Sequence, residues 1–561
     1  MSQAATLASS GGKWKAKNSF TQQNNNMKLR LFAIFLSSAL LPLAATAQEG
    51  LVYTTDGSRT YSLTQTTLAG EKSDNVRSAI VLKPSETFQS IDGFGFAITY
   101  SSSYNLLKMS QEDRTRLLTK TFSPSDGYGV SYVRISIGCN DFSSTEYSLC
   151  DEKGPQDDLL RHFRLYSDET DYVIPVLKEI LAINPALKII AAPWTSPRWM
   201  KVKSLDNPSA HDSWTDGHLA PNYYKTYADY FVKFIKAMRE EGINIYAVSP
   251  QNEPLNPGNC ASLYMPWNEE ASFVKRMATA FKEAGLSTKI YLFDHNYNYD
   301  GKESEQQYPA KIYKVFENSE FEGKELVVGA AYHNYGGNSD ELNVIHDLYP
   351  DKELIFTEAS IGTWNNGRNL DSSLADCMVN IGLHTMNKHC RGAIVWNFML
   401  DMQRGPNLDG GCQTCYGAID IANDYKSYTL NSHYYVICHL SAVVRPGAFR
   451  IATEGWWYDG VTYAAFRNPD GSLAVVFYNS NNRHLRVNIT DGKNRYNQVS
   501  LPPHAAVSVL MNTDQASGLQ SIKTQAVPGD NTNFYTLSGI RTSSPTRPGI
   551  YISQGRKEMR N

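Results

Sequence analysis

The sequence predicts an α/β fold, a (β/α)8 barrel carrying a side β-sandwich built from N- and C-terminal segments. Three observations predict it. Eight short apolar, β-branched runs recur between residues 90 and 397. Longer amphipathic stretches separate them, the alternation of buried parallel strands with helices. After about residue 440 the texture changes to short alternating strands divided by Asn, Asp and Gly turns.

The eight runs are Ser90 to Ala97, Val130 to Ile137, Lys188 to Pro193, Ile243 to Ser249, Lys289 to Asp294, Val327 to His333, Glu353 to Glu358 and Gly392 to Asn397. Between them lie helical patterns such as Tyr224 to Ile235, and Ala271 to Ala284 ending at Gly285. Eight repeats over roughly 310 residues favour a closed barrel over an open sheet. The later strands are Thr462 to Phe466, Leu473 to Tyr478, Leu485 to Ile489 and Ala506 to Met511. The segment Leu51 to Leu82 is also strand-like, so it is expected to pair with them. The resulting division is 48–84 for the N-terminal sandwich strands, 85–440 for the barrel, 441–515 for the sandwich and 516–561 for a C-terminal tail.

Residues 27–47 read as a signal peptide. Met27-Lys28-Leu29-Arg30 supplies the charged region, Leu31 to Leu43 the apolar run, and Ala45-Thr46-Ala47 the cleavage site. Residues 1–26 have no place in such a peptide and read as an extension from a mis-assigned upstream start. The apolar run is shorter than the roughly 18 to 20 residues a span needs, and no later segment is long enough. The mature chain is therefore expected to be exported, to the periplasm, cell surface or medium, with no transmembrane segment. Across 561 residues, 53 Lys+Arg against 56 Asp+Glu give a net charge of -3. With neither a basic excess nor a Lys/Arg stripe, nucleic acid is excluded as a partner. The 34 Tyr and 9 Trp offer apolar faces with polar edges, which suit sugars. Among eight Cys, the pair Cys412-Gln-Thr-Cys415 reads as a loop-stapling disulfide, since no second pair stands at zinc-finger spacing.

A barrel performs chemistry at the carboxyl ends of its strands. Glu253, in Ser249-Pro250-Gln251-Asn252-Glu253-Pro254, follows the fourth run, and Glu358, in Phe356-Thr357-Glu358-Ala359-Ser360, ends the seventh. Strands four and seven lie across the opening from one another, so two carboxylates approach a bound sugar from opposite sides. Glycoside cleavage needs that pair: one acid protonates the leaving oxygen and the other carboxylate stabilises or attacks the anomeric carbon. Pro254 disfavours a helical continuation at Glu253. Asn252 supplies an amide able to donate to a sugar 2-hydroxyl.

These two motifs resemble the acid/base and nucleophile motifs of glycoside hydrolase family 30, the glucosylceramidase and β-1,6-glucanase family. Further matches are Ile91-Asp92-Gly93-Phe94-Gly95, Val133 to Gly138, Asp141-Phe142-Ser143, Ala192 to Lys201, and Trp396 to Asp401 with Gly405-Pro406-Asn407. The resemblance implies a retaining enzyme with Glu253 as acid/base and Glu358 as nucleophile. It places Asp141, Trp194 and Asn252 on the −1 glucose, Trp396 as the floor, and His333 with Tyr335 beside the nucleophile. Arg134 is expected to orient the nucleophile, because a guanidinium holds a carboxylate in a fixed fork. Asn334 stands where animal-type glucosylceramidases carry Trp, which speaks against a lipid-like aglycone. His295 and His333 lack the spacing of a helical zinc pair, and H-E-x-x-H, G-x-S-x-G and nucleotide-binding motifs are absent. No metal or cofactor is expected. The Gly-rich loop Asp409 to Gly417 resembles one in the family's β-1,6-glucanases, so a β-glucan is the expected substrate. Glucosylceramide and broader β-glucosides or β-xylosides are the alternatives within the family, and an inactive carbohydrate-binding barrel the one outside enzymes.

Overall fold

A computed structural model describes residues 49–72, 79–152, 159–455 and 458–512, with four short strands beyond 533. The expected signal peptide and its extension lie outside the described residues. Eight strands form a closed ring: β1 (Gly93–Ala97), β2 (Tyr132–Ser136), β3 (Lys188–Ala192), β4 (Ala247–Val248), β5 (Lys289–Asn296), β6 (Val327–His333), β7 (Glu353–Glu358) and β8 (Cys390–Asn397). Each pairs in parallel with the next, and β8 pairs with β1. Closure is tight enough to dictate residue type. A Cβ at Gly95 falls 1.5 Å from the Tyr132 carbonyl oxygen of the neighbouring strand.

The barrel interior is packed rather than hollow. Tyr132, Ile190, Ala247, Tyr291, Ala331, Ile355 and Ile394, one from each of β2 to β8, form a buried cluster of their own. At the amino ends of the strands lies a charged lattice. Asp92 accepts from Lys188 (2.6 Å) and Arg391 (3.1 Å), while Glu353 accepts from Arg391 (2.5 Å), Lys289 (2.9 Å) and the Tyr291 hydroxyl (2.5 Å). The outer helices bury apolar stripes against the ring. Helix Tyr224–Glu240 hides Tyr227, Tyr230, Phe231, Phe234 and Met238, and its Tyr227 stacks on Phe273 of helix Trp267–Glu283 at 5.2 Å.

The second domain takes its strands from both chain ends. Glu49–Asp56 runs antiparallel to Ala505–Met511, and Ile80–Ser90 antiparallel to Phe449–Gly455. Nine strands hydrogen-bond in one continuous ring, which joins the two sandwich faces at their edges through short ladders, residues 70–72 with 494–496 and residues 80–81 with 489–490. Two of them, Phe449–Gly455 and Asn494–Leu501, are absent from the sequence reading. Asn494–Leu501 alternates buried with partly exposed polar residues and carries few β-branched side chains, which weakens its signal. The four expected later strands appear with their ends moved by at most one residue. In the barrel, by contrast, the run Ile243 to Ser249 is a strand only at Ala247–Val248, and Ser90, expected to open the first barrel strand, ends the sandwich strand Ile80–Ser90. The fully buried helix Ser432–Ser441 ties the domains: the His439 ring nitrogens lie 2.8 Å from Ser508 Oγ and 2.9 Å from Thr55 Oγ1. The C-terminal tail forms a four-stranded antiparallel sheet from Phe534–Thr536, Arg541–Thr542, Gly549–Ser553 and Arg556–Arg560. Among the described residues no helix is long and apolar enough to cross a membrane.

Candidate active site

The carboxyl ends of the barrel strands bring the predicted residues together. Arg134, on β2, is wholly buried and is the hub. Its guanidinium donates to Glu358 Oε2 (2.5 Å), to Asn252 Oδ1 (2.7 Å) and to Asp294 Oδ2 (2.8 Å). Trp194 and Trp396 stack on one another at 5.2 Å between ring centres, and the guanidinium lies 5.0 and 5.5 Å from their rings. Because the Asn252 oxygen accepts from Arg134, its amide N–H groups remain for another acceptor. Tyr335, with 43% of its surface exposed, donates its hydroxyl to Glu358 Oε1 at 2.9 Å.

Glu253 sits on backbone in the left-handed region, with φ of 46°. The expectation that Pro254 keeps this residue out of a right-handed helix is met in that form. Such a conformation costs on the order of 1 to 3 kcal/mol for a non-glycine residue and clusters where function fixes a side chain. Here the Glu253 N–H is anchored on the Asp294 carbonyl at 3.1 Å, and Asn256 N–H on the Glu253 carbonyl at 3.0 Å. Its carboxylate accepts the side-chain amides of Asn256 (2.8 Å) and Asn259 (3.2 Å) at Oε2. His333 Nδ1 lies 3.5 Å from Glu253 Oε1 and 4.0 Å from Glu358 Oε1. One imidazole nitrogen thus stands beside both carboxylates, whose Oε1 atoms are no more than about 7.5 Å apart.

Sequence reasoning missed Asp294, His295, Asn256 and Asn259, and treated His295 as an isolated histidine. In the structure Asp294 accepts from Arg134, from His333 Nε2 (3.1 Å) and from Thr357 Oγ1 (2.5 Å). His295 Nδ1 is 3.8 Å from Glu253 Oε1. The signal in the sequence was Asp294-His295-Asn296 at the end of a barrel strand.

Burial works to raise the Asp294 pKa, but the Arg134 charge and the His333 hydrogen bond overcome it and hold the carboxyl well below the usual range. Burial lowers the His333 value, yet Glu358, Asp294 and Glu253 together raise it to about 9, so the ring is an imidazolium at neutral pH. Burial pushes Glu253 up, and the hydrogen bond and charge of His333 bring it below the usual carboxylate value. Glu358 is raised, by burial and by the Glu253 charge, against the pull of His333 and Arg134. Asp141 is raised to about 8, first by burial and then by Glu358. The disulfide Cys412–Cys415 forms as expected, and its loop lies on Asp141: a Cβ at Gly411 falls 2.6 Å from the Asp141 carbonyl oxygen.

This arrangement matches a known family. Residues 91–444 match the glycosyl hydrolase family 30 TIM-barrel domain, and residues 447–526 the glycosyl hydrolase family 30 beta sandwich domain. The chain belongs to glycosyl hydrolase family 30. It is 30% identical over 424 residues to an endo-1,6-beta-D-glucanase of Trichoderma harzianum, covering 72% of this chain and 81% of that one. It is 26% identical over 426 residues to the lysosomal acid glucosylceramidase of Mus musculus, covering 73% and 79%. A solved structure, the endo-beta1,6-glucanase BT3312, superposes with a TM-score of 0.78 at 54% identity, covering 82% of this chain and 99% of that one. The family places this chain among the glycoside hydrolases, with the barrel and sandwich read from its sequence.

Proposed function

We propose that the chain is an exported, retaining hydrolase of β-1,6-linked glucan. The observation that carries the substrate is the 54% identity to the solved endo-β-1,6-glucanase across 82% of the chain. Two local features support it. The loop closed by Cys412–Cys415 packs on Asp141, and its Cys415–Tyr416 strand pairs with Ile361–Gly362 just beyond Glu358. On that same stretch Trp364 is 53% exposed, a flat ring on which a further sugar can stack.

In this reading Glu253 is the general acid/base and Glu358 the nucleophile. Arg134 and the Tyr335 hydroxyl hold one Glu358 oxygen each, which aims the carboxylate and favours its ionised form. The free site faces three carboxylates, Glu253, Glu358 and Asp294, with two cations, Arg134 and His333. The proton needed by the leaving oxygen rests on His333 Nδ1, one transfer from Glu253 Oε1. Glu253 passes it to the glycosidic oxygen as Glu358 attacks the anomeric carbon, then takes a proton from the water that releases the sugar and returns it to His333 Nδ1. Asn252 and Asp141 address the hydroxyls of the −1 glucose, with Trp194 and Trp396 walling the site.

Incubating the mature chain from Gln48 separately with linear β-1,6-glucan and with glucosylceramide in detergent tests the substrate. Gentio-oligosaccharides or glucose from the glucan alone are expected. Glucose from the lipid alone overturns the choice of substrate.

A further inference from the structure

We propose that Glu253, His295 and His333 form a binding site for a divalent transition-metal ion of the zinc type, and that the ion switches the enzyme off. Ligand atoms of these three buried residues all lie within 4.8 Å of one another. The two glutamate oxygens are differently committed: Oε2 is held by the Asn256 and Asn259 amides, while Oε1 faces both imidazoles, 3.5 Å from His333 Nδ1 and 3.8 Å from His295 Nδ1.

The outer partners have the arrangement that metal-ligating histidines show, each ring giving its far nitrogen to a carboxylate. His333 Nε2 lies 3.1 Å from Asp294 Oδ1, and His295 Nε2 lies 2.9 Å from Asp300 Oδ2. Those bonds fix both rings with Nδ1 toward Glu253. A second observation points to a ligand: His295 Nδ1 is buried and makes no hydrogen bond among the described residues. Bonds of about 2.0 to 2.1 Å around a tetrahedral ion set its ligand atoms about 3.3 Å apart. The glutamate-to-histidine distances of 3.5 and 3.8 Å need to contract by only a few tenths of an ångström, while the two imidazole nitrogens, within 4.8 Å of one another, close by up to about 1.5 Å through rotation of the rings. Two imidazoles and one carboxylate suit zinc, copper or nickel, not magnesium or calcium, which take oxygen ligands.

Binding displaces the proton that His333 Nδ1 carries toward Glu253 and engages the Oε1 lone pair. The ion is an inhibitor, not a cofactor. That consequence rests on Glu253 being the acid/base; the site itself does not.

Calorimetric titration of the chelator-treated mature chain with zinc chloride, alongside inhibition of glucan hydrolysis, tests both. One ion per chain is expected, with inhibition following occupancy, and both weakened about 10-fold or more in His295→Ala. No binding, or binding that His295→Ala leaves unchanged, overturns the site while hydrolysis stands. Binding through His295 without inhibition keeps the site and removes Glu253 from the acid/base role. Should His295→Ala not fold, the visible spectrum of the wild-type chain with cobalt(II) decides. Intense four- or five-coordinate bands support the site, and weak octahedral bands overturn it.

Discussion

Replacing Arg134 by Met keeps an unbranched apolar stem and removes the guanidinium with its charge. Three acceptors lose their donor at once: Glu358 Oε2, Asn252 Oδ1 and Asp294 Oδ2. Breaking a buried ion pair by removing one partner costs about 3 to 5 kcal/mol, because the orphaned charge stays desolvated. At about 2.1 cal/mol/K per residue, the roughly 450 residues described up to Asn512 give an unfolding entropy near 1 kcal/mol per degree. The midpoint is therefore expected to fall by about 3 to 5 °C at pH 7.5. The sign with pH follows from Asp294. Its folded pKa is depressed, so the stability it contributes is present above its unfolded value near 3.8 and is lost as pH falls through the folded value. Without Arg134 the two carboxyls take up protons at higher pH, so the gap from wild type narrows toward pH 4. Differential scanning fluorimetry at pH 7.5 and pH 4.5, with kcat on an aryl β-glucoside, measures both effects. Arg134→Lys keeps the charge but gathers its donors on one shorter ammonium in place of the two guanidinium nitrogens that reach Glu358 and the Asn252–Asp294 pair, so its kcat is expected to fall about 10-fold or more with a smaller loss of Tm. An Arg134→Met enzyme with wild-type Tm and kcat refutes the role of Arg134 as hub.

Glu253→Gln is expected to lower turnover of glucan by about 10² to 10⁴, and to leave the first step on a dinitrophenyl glucoside nearly intact, since that leaving group needs no acid; equal losses on both substrates tell against the assignment. The His333 pKa is raised to about 9, so its contribution to stability is complete below its unfolded value near 6.5 and is lost as pH rises through 9. The Tm difference between wild type and His333→Gln should therefore shrink between pH 6 and pH 9.5, and a constant difference contradicts the imidazolium. Glu353→Gln, at the amino end of the barrel, weakens its pairs with Lys289 and Arg391 and is expected to lower Tm while kcat/KM stays within about twofold; a large loss of kcat/KM with unchanged Tm opposes a purely structural lattice.

The barrel was legible because each strand is a short apolar run, and Glu253 and Glu358 were legible because they stand at strand ends where inward side chains meet substrate. Arg134 followed from the same position on β2. Asp294 and His295 were hidden by backbone geometry. In a regular strand neighbours point to opposite faces, so one of the two should turn away. A register shift between Phe293 and His295, with positive φ at Phe293 (74°) and Asp294 (59°), breaks the alternation and delivers both to the site. Asn256 and Asn259 come from an irregular loop whose path depends on the left-handed turn at Glu253, which no periodicity announces. The sandwich ring was only half visible: Phe449–Gly455 pairs along most of its length with Ile80–Ser90, far away in sequence, and Asn494–Leu501, although the hairpin partner of Leu485–Thr490, carries few β-branched side chains to announce it.

The covalent intermediate is the central claim, and trapping it tests that claim most directly. The mature chain is inactivated with 2-deoxy-2-fluoro-β-gentiobiosyl fluoride, digested, and the modified peptide sequenced by mass spectrometry. One fluorogentiobiosyl group on the peptide containing Glu358, with attachment at that carboxylate, is the result predicted. Attachment to another residue, or continued turnover with no adduct, contradicts Glu358 as the nucleophile.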